Sequence, residues 1–226
     1  MRKEIEIINK AFDIPLPGIE IQRLMSPSVR FTGNVKYNAH NARSSSVLIL
    51  LYNKGDQWCV PLIQRPTYDG AHSGQVSFPG GKTEKSDISF LDTALRESEE
   101  EIGVKREDIQ FIRELTPLYI PNSNFMVYPQ ACVTSKVPDF IPDLREVESI
   151  IEAPIAHLLS PNKIHSFSQD INGIQVDAPF YSVDEYIIWG ATAMIMSEFL
   201  YILKGSDLFT NPQSHSYSVC NAPECQ

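Results

Sequence analysis

"GQVSFPGGKTEKSDISFLDTALRESEEEIGV", Gly74 to Val104, sets a proline and two glycines upstream of a segment that ends in a crowd of acids. Glu97, Glu99, Glu100 and Glu101 fall within five residues. Leu91, Leu95, Ser98 and Ile102 recur at intervals of 4, 3 and 4, which predicts a helix with one inward face and Gly103 as its stop. Glu97, Glu100 and Glu101 stand at i, i+3 and i+4 and are expected to share a separate face. Like charges at that spacing repel, and clustered carboxylates raise one another's pKa. Oxygen ligands of high charge density suit a hard divalent cation such as Mg²⁺ or Mn²⁺. No histidine stands in the cluster, which argues against zinc. In "FPGGK" the glycines let the backbone turn sharply and approach a ligand, so a carbonyl there is available to complete a metal shell. A bare run of glutamates is more often a solvated face. The coupling to Gly80-Gly81 and Arg96 argues for chemistry instead.

Working outward, "SSVLILLYN" (Ser45–Asn53) and "WCVPLIQR" (Trp58–Arg65) read as strands joined at "KGDQ". "IQFIRELTPLYIP" and "FMVYPQACVTS" are the next strand candidates, and "APIAHLLS" reads as a short helix. "IHSFSQDINGIQVDAPFYSV" holds two strands around Asn172-Gly173. "WGATAMIMSEFLYIL" is a final helix, apolar nearly all round and so expected to be buried. A short N-terminal helix breaks at "PLPG". Mixed strands and helices without a linker predict one α+β domain, an α/β/α sandwich with a mixed sheet between helices. We divide the chain into a helical extension over 1–30, a main domain over 31–204 and a loose tail over 205–226.

The 226 residues suffice to bury a core without staples. A net charge of −9 argues against a nucleic-acid partner. Seven acids against three bases in Gly80–Val104 supply a large part of it. A bound divalent cation still permits small phosphorylated ligands. There is no run of 18 apolar residues, so no membrane partner is expected, and the opening residues do not resemble a secretory signal. Cys59 and Cys132 sit in apolar runs as buried thiols. With Cys220 and Cys225 they form no metal-spaced pair, so a reducing cytoplasm is expected.

The glutamate segment resembles the Nudix box: Gly, five residues, Glu, seven residues, then Arg-Glu-apolar-x-Glu-Glu-x-Gly-apolar. Arg96 to Val104 fits the second half except at Ser98, where an apolar residue is usual. The first half has Gly81, then Asp87 in place of Glu, then eight residues to Arg96. "LIQRPTYDGAHSGQVSFPGGK" (Leu62–Lys82) is similar to the segment before the box in the coenzyme A pyrophosphatase branch, which shares the one-residue insertion. Glu146-Val147 and "IIWGATAMI" (Ile187–Ile195) also resemble that branch. Pro66 and Gly70 depart from it, Gly70 standing where a second Arg is usual. Lys82, Lys85 or a basic residue of the N-terminal segment is left to supply that charge.

The resemblance implies a Nudix fold and Mg²⁺- or Mn²⁺-dependent hydrolysis of the diphosphate bond of coenzyme A or its derivatives. It implies that Glu97, Glu100, Glu101 and the Gly81 carbonyl hold one to three ions. Arg96 would pair with a carboxylate and fix its rotamer. Glu97, Glu100 or Glu146 would act as general base, Glu146 having an exposed loop carboxylate as its plain alternative. Arg65, His72, Gln75, Gly80 and Lys82 are the substrate-binding candidates; His72 equally fits a bond within its own loop. Trp189 is expected in the core, and Phe78-Pro79 in packing of the loop. The substrate alternatives are ADP-ribose, dinucleotides or another nucleoside diphosphate derivative. An alternative of another class is a non-catalytic Nudix-fold sensor, which tends to lose box carboxylates, whereas all three remain here. A homodimer is left open.

Overall fold

An unbroken apolar run along one strand is explained by its two covered faces. Leu48 and Leu50 enter one apolar cluster, and Ile49 and Leu51 another. A strand buried on both sides has no position for a polar residue. The computed structural model describes residues 1–31, 41–67, 74–160, 164–171 and 174–210.

The chain opens with helix α1 (Arg2–Ala11) and the single turn α2 (Ile19–Gln22). Strand β1 (Arg43–Lys54) turns through Gly55 and Asp56, both at positive φ, into β2 (Gln57–Gln64). Two positive-φ residues are what a two-residue mirror-image hairpin turn requires. Short strands β3 (Val76–Ser77) and β4 (Gly80–Lys82) precede helix α3 (Phe90–Ile102). Next come β5 (Gln110–Glu114), β6 (Leu118–Ile120), β7 (Phe125–Val133) and β8 (Ser149–Pro154). The single turn α4 (Ile155–Leu158) leads to β9 (Ile164–Ile171), β10 (Ile174–Val183) and β11 (Tyr186–Trp189). Helix α5 (Gly190–Lys204) and the turn α6 (Asp207–Thr210) close the described chain.

β1 is the axis of a mixed sheet of eight strands. It runs parallel to β7 on one edge; on the other it pairs antiparallel with β4 near its start and β2 near its end. β3 and β8 flank β2, and β5 and β6 pair with β7. Helix α3 covers one face, where Ala94 and Ile102 meet Leu48, Leu50, Ile63 and Cys132. On the other face α5 and α1 bring Phe199, Ile8 and Phe12 against Ile49, Leu51, Val60 and Leu62. This is the expected mixed sheet between helices. β9, β10 and β11 form a separate three-stranded antiparallel sheet.

Three elements differ from expectation. β8 takes up Ala153 and Pro154, so the short helix begins only at Ile155. Trp189 ends β11 rather than opening the last helix. Residues 207–210 form α6, whose Leu208 and Phe209 pack on the core, where a loose tail was expected. The Asn172-Gly173 turn, His72, Gly70, Cys220 and Cys225 lie outside the described residues. Cys59 and Cys132 are buried free thiols, and burial pushes them up to about 11 and about 12, so both stay protonated near neutrality.

Ten of the fifteen residues of α5 are buried, and one of them is an acid. The Glu198 carboxylate accepts from the Gly18 N–H at 3.1 Å, Gln22 Nε2 at 2.9 Å and Thr116 Oγ1 at 2.6 Å. It thereby fastens the N-terminal segment to the body of the fold. Glu198→Gln would turn an N–H₂ toward these donors and strand at least one of them. We expect a loss of about 2 kcal/mol or more in urea unfolding, with earlier proteolysis before β1.

Candidate active site

Ser89 starts α3 by accepting the Asp92 N–H at 3.0 Å, and Gly103 ends it at φ 72°. Between these caps the helix carries its acids toward β4. β4 is held by β1 through Ser45↔Lys82, Ser46↔Gly81 and Val47↔Gly80. Gly80, at φ 146°, is pressed so closely on β1 that an added Cβ would collide with the Ser46 carbonyl and Val47. An added Cβ on Gly81 would collide with the Glu97 carboxylate. The glycine pair therefore lets helix, turn and sheet approach to backbone contact.

The three glutamates, at i, i+3 and i+4 of one helix, do not share one environment. Glu100 is 61% exposed, Glu97 16% and Glu101 only 2%. Glu101 belongs to the inward side of the helix next to Ser98 and Ile102. Its Oε2 accepts the Gly80 N–H at 2.8 Å, and its Oε1 lies 3.7 Å from Arg65 Nη2. Burial pushes the Glu101 carboxyl up to about 7 against the opposing pull of Arg65 and the Gly80 N–H. Burial also raises Glu97, with Arg96 opposing and Glu100 and Glu146 reinforcing. The Glu146 charge acts on both Glu97 and Glu101, so the exposed loop after Asp143 brings this residue to the box glutamates.

Arg96 organises the outer acids. Its Nε and Nη2 grip Asp87 at 2.9 and 3.0 Å, and its Nη1 reaches Glu97 at 2.9 Å and Glu100 at 3.4 Å. Its Nη2 also donates to the Lys82 carbonyl at 3.2 Å. The Arg96 guanidinium holds Asp87 well below the usual carboxylate range. Among the described residues, no three His, Cys, Asp or Glu side chains converge as a ready ligand set. Arg96 sits between Glu97 and Glu100, and Glu101 is turned inward. The donors are nonetheless oxygen only, the buried acids lack full compensation, and the Gly81 backbone abuts Glu97. In its donor chemistry that set fits a hard divalent cation.

Beside the glycines opens a cleft of about 390 Å³ lined by Arg30, Arg65, Gly80, Gly81, Lys82 and Phe78, among others. Arg65 Nε also reaches Ser77 Oγ at 3.2 Å, and its Nη2 the Gly80 carbonyl at 3.4 Å. Gln75 lines the same cleft. Thus Arg65, Gln75, Gly80 and Lys82 come together with the glutamate helix. Arg30 was not singled out in the sequence, because no local pattern links the N-terminal segment to the box. Trp189 is half-buried on the cleft wall instead of lying in the core.

Gly80→Ala should cost about 3 kcal/mol or more in denaturant unfolding, since both φ and space exclude a side chain. Ser98, where the Nudix box usually has an apolar residue, is fully buried, and its Oγ has no partner among the described residues. Ser98→Ala should raise stability by about 1 kcal/mol by removing that stranded hydroxyl and improving helix propensity.

The NUDIX domain family matches residues 42–166. A protein described as uncharacterized Nudix hydrolase NudL from Photorhabdus laumondii is 31% identical over 158 residues, spanning 70% of this chain and 83% of that protein. NudL from Yersinia pestis (strain Pestoides F) is 31% identical over 192 residues, spanning 84% and 90%. The crystal structure of a MutT/nudix family protein from Enterococcus faecalis superposes with a TM-score of 0.48 at 20% identity, over 72% of this chain and 62% of that one. With a family match over more than half its length and relatives aligned along most of it, the chain belongs to the Nudix hydrolase family.

Proposed function

We propose that this Nudix hydrolase cleaves the diphosphate bond of coenzyme A or its derivatives, giving phosphopantetheine and adenosine 3′,5′-bisphosphate. The observation that carries the hydrolytic site is the contact of the Gly81 backbone with the Glu97 carboxylate, above the buried Glu101. Glu97, Glu100, Glu101 and the Gly81 carbonyl would hold Mg²⁺ or Mn²⁺. Such ions, when bound, withdraw charge from the diphosphate and make bound water more acidic. The chain's own part is placement. Arg96 keeps Glu97 in position from the Asp87 side. Arg65 and Lys82 present positive charge to the phosphates from the cleft. Glu97, Glu100 and Glu146 are the groups available to take the proton of the attacking water; Glu146 is exposed and its charge acts on Glu97. Support for coenzyme A comes from the likeness of Leu62–Lys82, Glu146-Val147 and Ile187–Ile195 to the coenzyme A pyrophosphatase branch. A cytoplasmic setting accords with the two buried, unpaired thiols.

Purified protein with Mg²⁺ should turn over coenzyme A and acetyl-coenzyme A faster than ADP-ribose, NADH or dinucleoside polyphosphates, and EDTA should abolish turnover. A faster reaction on any of the latter replaces the substrate. Glu97→Gln and Glu100→Gln should each lower kcat by on the order of 10²-fold with little change in melting temperature. Near-full Mg²⁺-dependent turnover in both would remove these residues from the ligand set. Glu101→Gln is the poorer test, because Glu101 also holds the Gly80 N–H inside the fold.

A further inference from the structure

The cleft beside the glycines is not isolated. A second cleft of about 750 Å³ shares Gln75, Val76 and Trp189 with it. Its far wall comes from the three-stranded sheet: Phe167 of β9, with Tyr186 and Trp189 of β11. Phe167 packs edge-on against Trp189 with ring centres 5.5 Å apart, and the Tyr186 hydroxyl lies 3.1 Å from Ser149 Oγ. Both clefts fall in the size range of small-molecule sites.

Their charges are opposite. Among the described residues, the smaller cleft is lined by Arg30, Arg65 and Lys82 and by no acid. The larger is lined by Glu148 and Glu185 and by no Lys or Arg. Arg30 is held on the wall of the smaller cleft by donating Nη2 to the Tyr119 carbonyl. A guanidinium so fixed suits a phosphate, to which it can offer a planar fork of donors. The aromatic cleft instead offers apolar faces and hydroxyls beside two carboxylates, which repel a phosphate and are indifferent to a neutral chain of methylenes and amides.

We propose that the two clefts fix the direction in which the substrate lies. The nucleotide half, with its additional phosphate monoester, lies toward Arg30 and Lys82. The uncharged amide-bearing arm lies along Phe167, Tyr186 and Trp189. This orientation rests on the coenzyme A assignment above. It makes Arg30 the cation that takes the place of the missing arginine at Gly70, and it makes the three-stranded sheet the selector of the arm.

The test compares kcat/KM for coenzyme A and for 3′-dephospho-coenzyme A, with Mg²⁺, in the full chain. Arg30→Ala should lower the ratio of the two about tenfold or more, and Arg30→Lys should restore part of it. Phe167→Ala should raise KM for both substrates about equally and leave the ratio within twofold. Glu185→Lys should also leave the ratio unchanged. Separately from turnover, adenosine 3′,5′-bisphosphate should bind the metal-free protein at least fivefold more weakly in Arg30→Ala than in wild type, and equally well in Phe167→Ala, by NMR titration. A ratio that ignores Arg30→Ala but rises in Glu185→Lys would reverse the orientation and overturn the proposal. Equal binding of the bisphosphate by wild type and a folded Arg30→Ala would overturn it too. If wild type leaves coenzyme A uncut, the substrate assignment fails and the orientation falls with it.

Discussion

The site depends on one contact: a carboxylate inside the protein, Glu101, bonded to the N–H of Gly80. It ties α3 to β4, and β4 is in turn laced to β1, so the acid helix takes its position from the central strand of the sheet. The price is a charge held where burial disfavours it, with one guanidinium 3.7 Å away. Glu97 is raised for the same reason, and the Gly81 backbone crowds it. The presence of acid there accords with a positive charge that arrives from outside the chain.

Asp87 shows how a departure from a motif is absorbed. Its side chain is one methylene shorter than the glutamate usual at that place, and the loop to Arg96 is one residue longer. The Asp87 side chain is only 2% exposed, and its two oxygens take one edge of the guanidinium, Nε and Nη2. Asp87 Oδ2 also accepts from the Glu84 N–H at 2.8 Å and from Thr93 Oγ1 at 2.9 Å. The carboxylate thus pins its own loop as well as Arg96. With Nε and Nη2 so engaged, Nη1 is directed to Glu97 and, more distantly, to the exposed end of Glu100.

What the sequence disclosed was local. The hydrophobic run of β1, the spacing of Leu91, Leu95 and Ile102, and Gly103 as a stop all depend on neighbours a few residues away. The same spacing grouped Glu101 with Glu97 and Glu100, because periodicity gives angles about an axis but not what packs against each side. Ser98 and Glu101 flank the inward direction, and only the arrival of β4 decides that Glu101 is covered. β8 was missed because "SIIEAP" is short and runs straight into a helical turn; its pairing partner, β2, lies some ninety residues earlier. Trp189 was assigned to the core because it adjoins an apolar helix, yet β11 ends there and turns its ring to the clefts. Arg30 was reachable only as one of several basic residues of the N-terminal segment, since its relation to the glycines is wholly tertiary.

The N-terminal segment shows how such distant placement is achieved. Glu198 anchors it at Gly18 and Gln22, and the Ser197 hydroxyl bonds the Ile21 carbonyl at 3.1 Å. Ser28 Oγ then accepts the Asp177 N–H of β10 at 3.0 Å. Between these stitches Met25 sinks into the core. Pro27 and Arg30 are left on the wall of the cleft that the glycines also line. The segment is thus fixed to α5 at one end and to β10 at the other; β10 pairs with the two strands that carry the aromatic wall, and α5 follows directly on Trp189. A change in how α5 seats against the sheet would move the basic wall and the aromatic wall together. The spacing of the basic and aromatic walls therefore follows the packing of one buried helix, whereas the glutamates sit on the other helix, on the opposite face of the sheet.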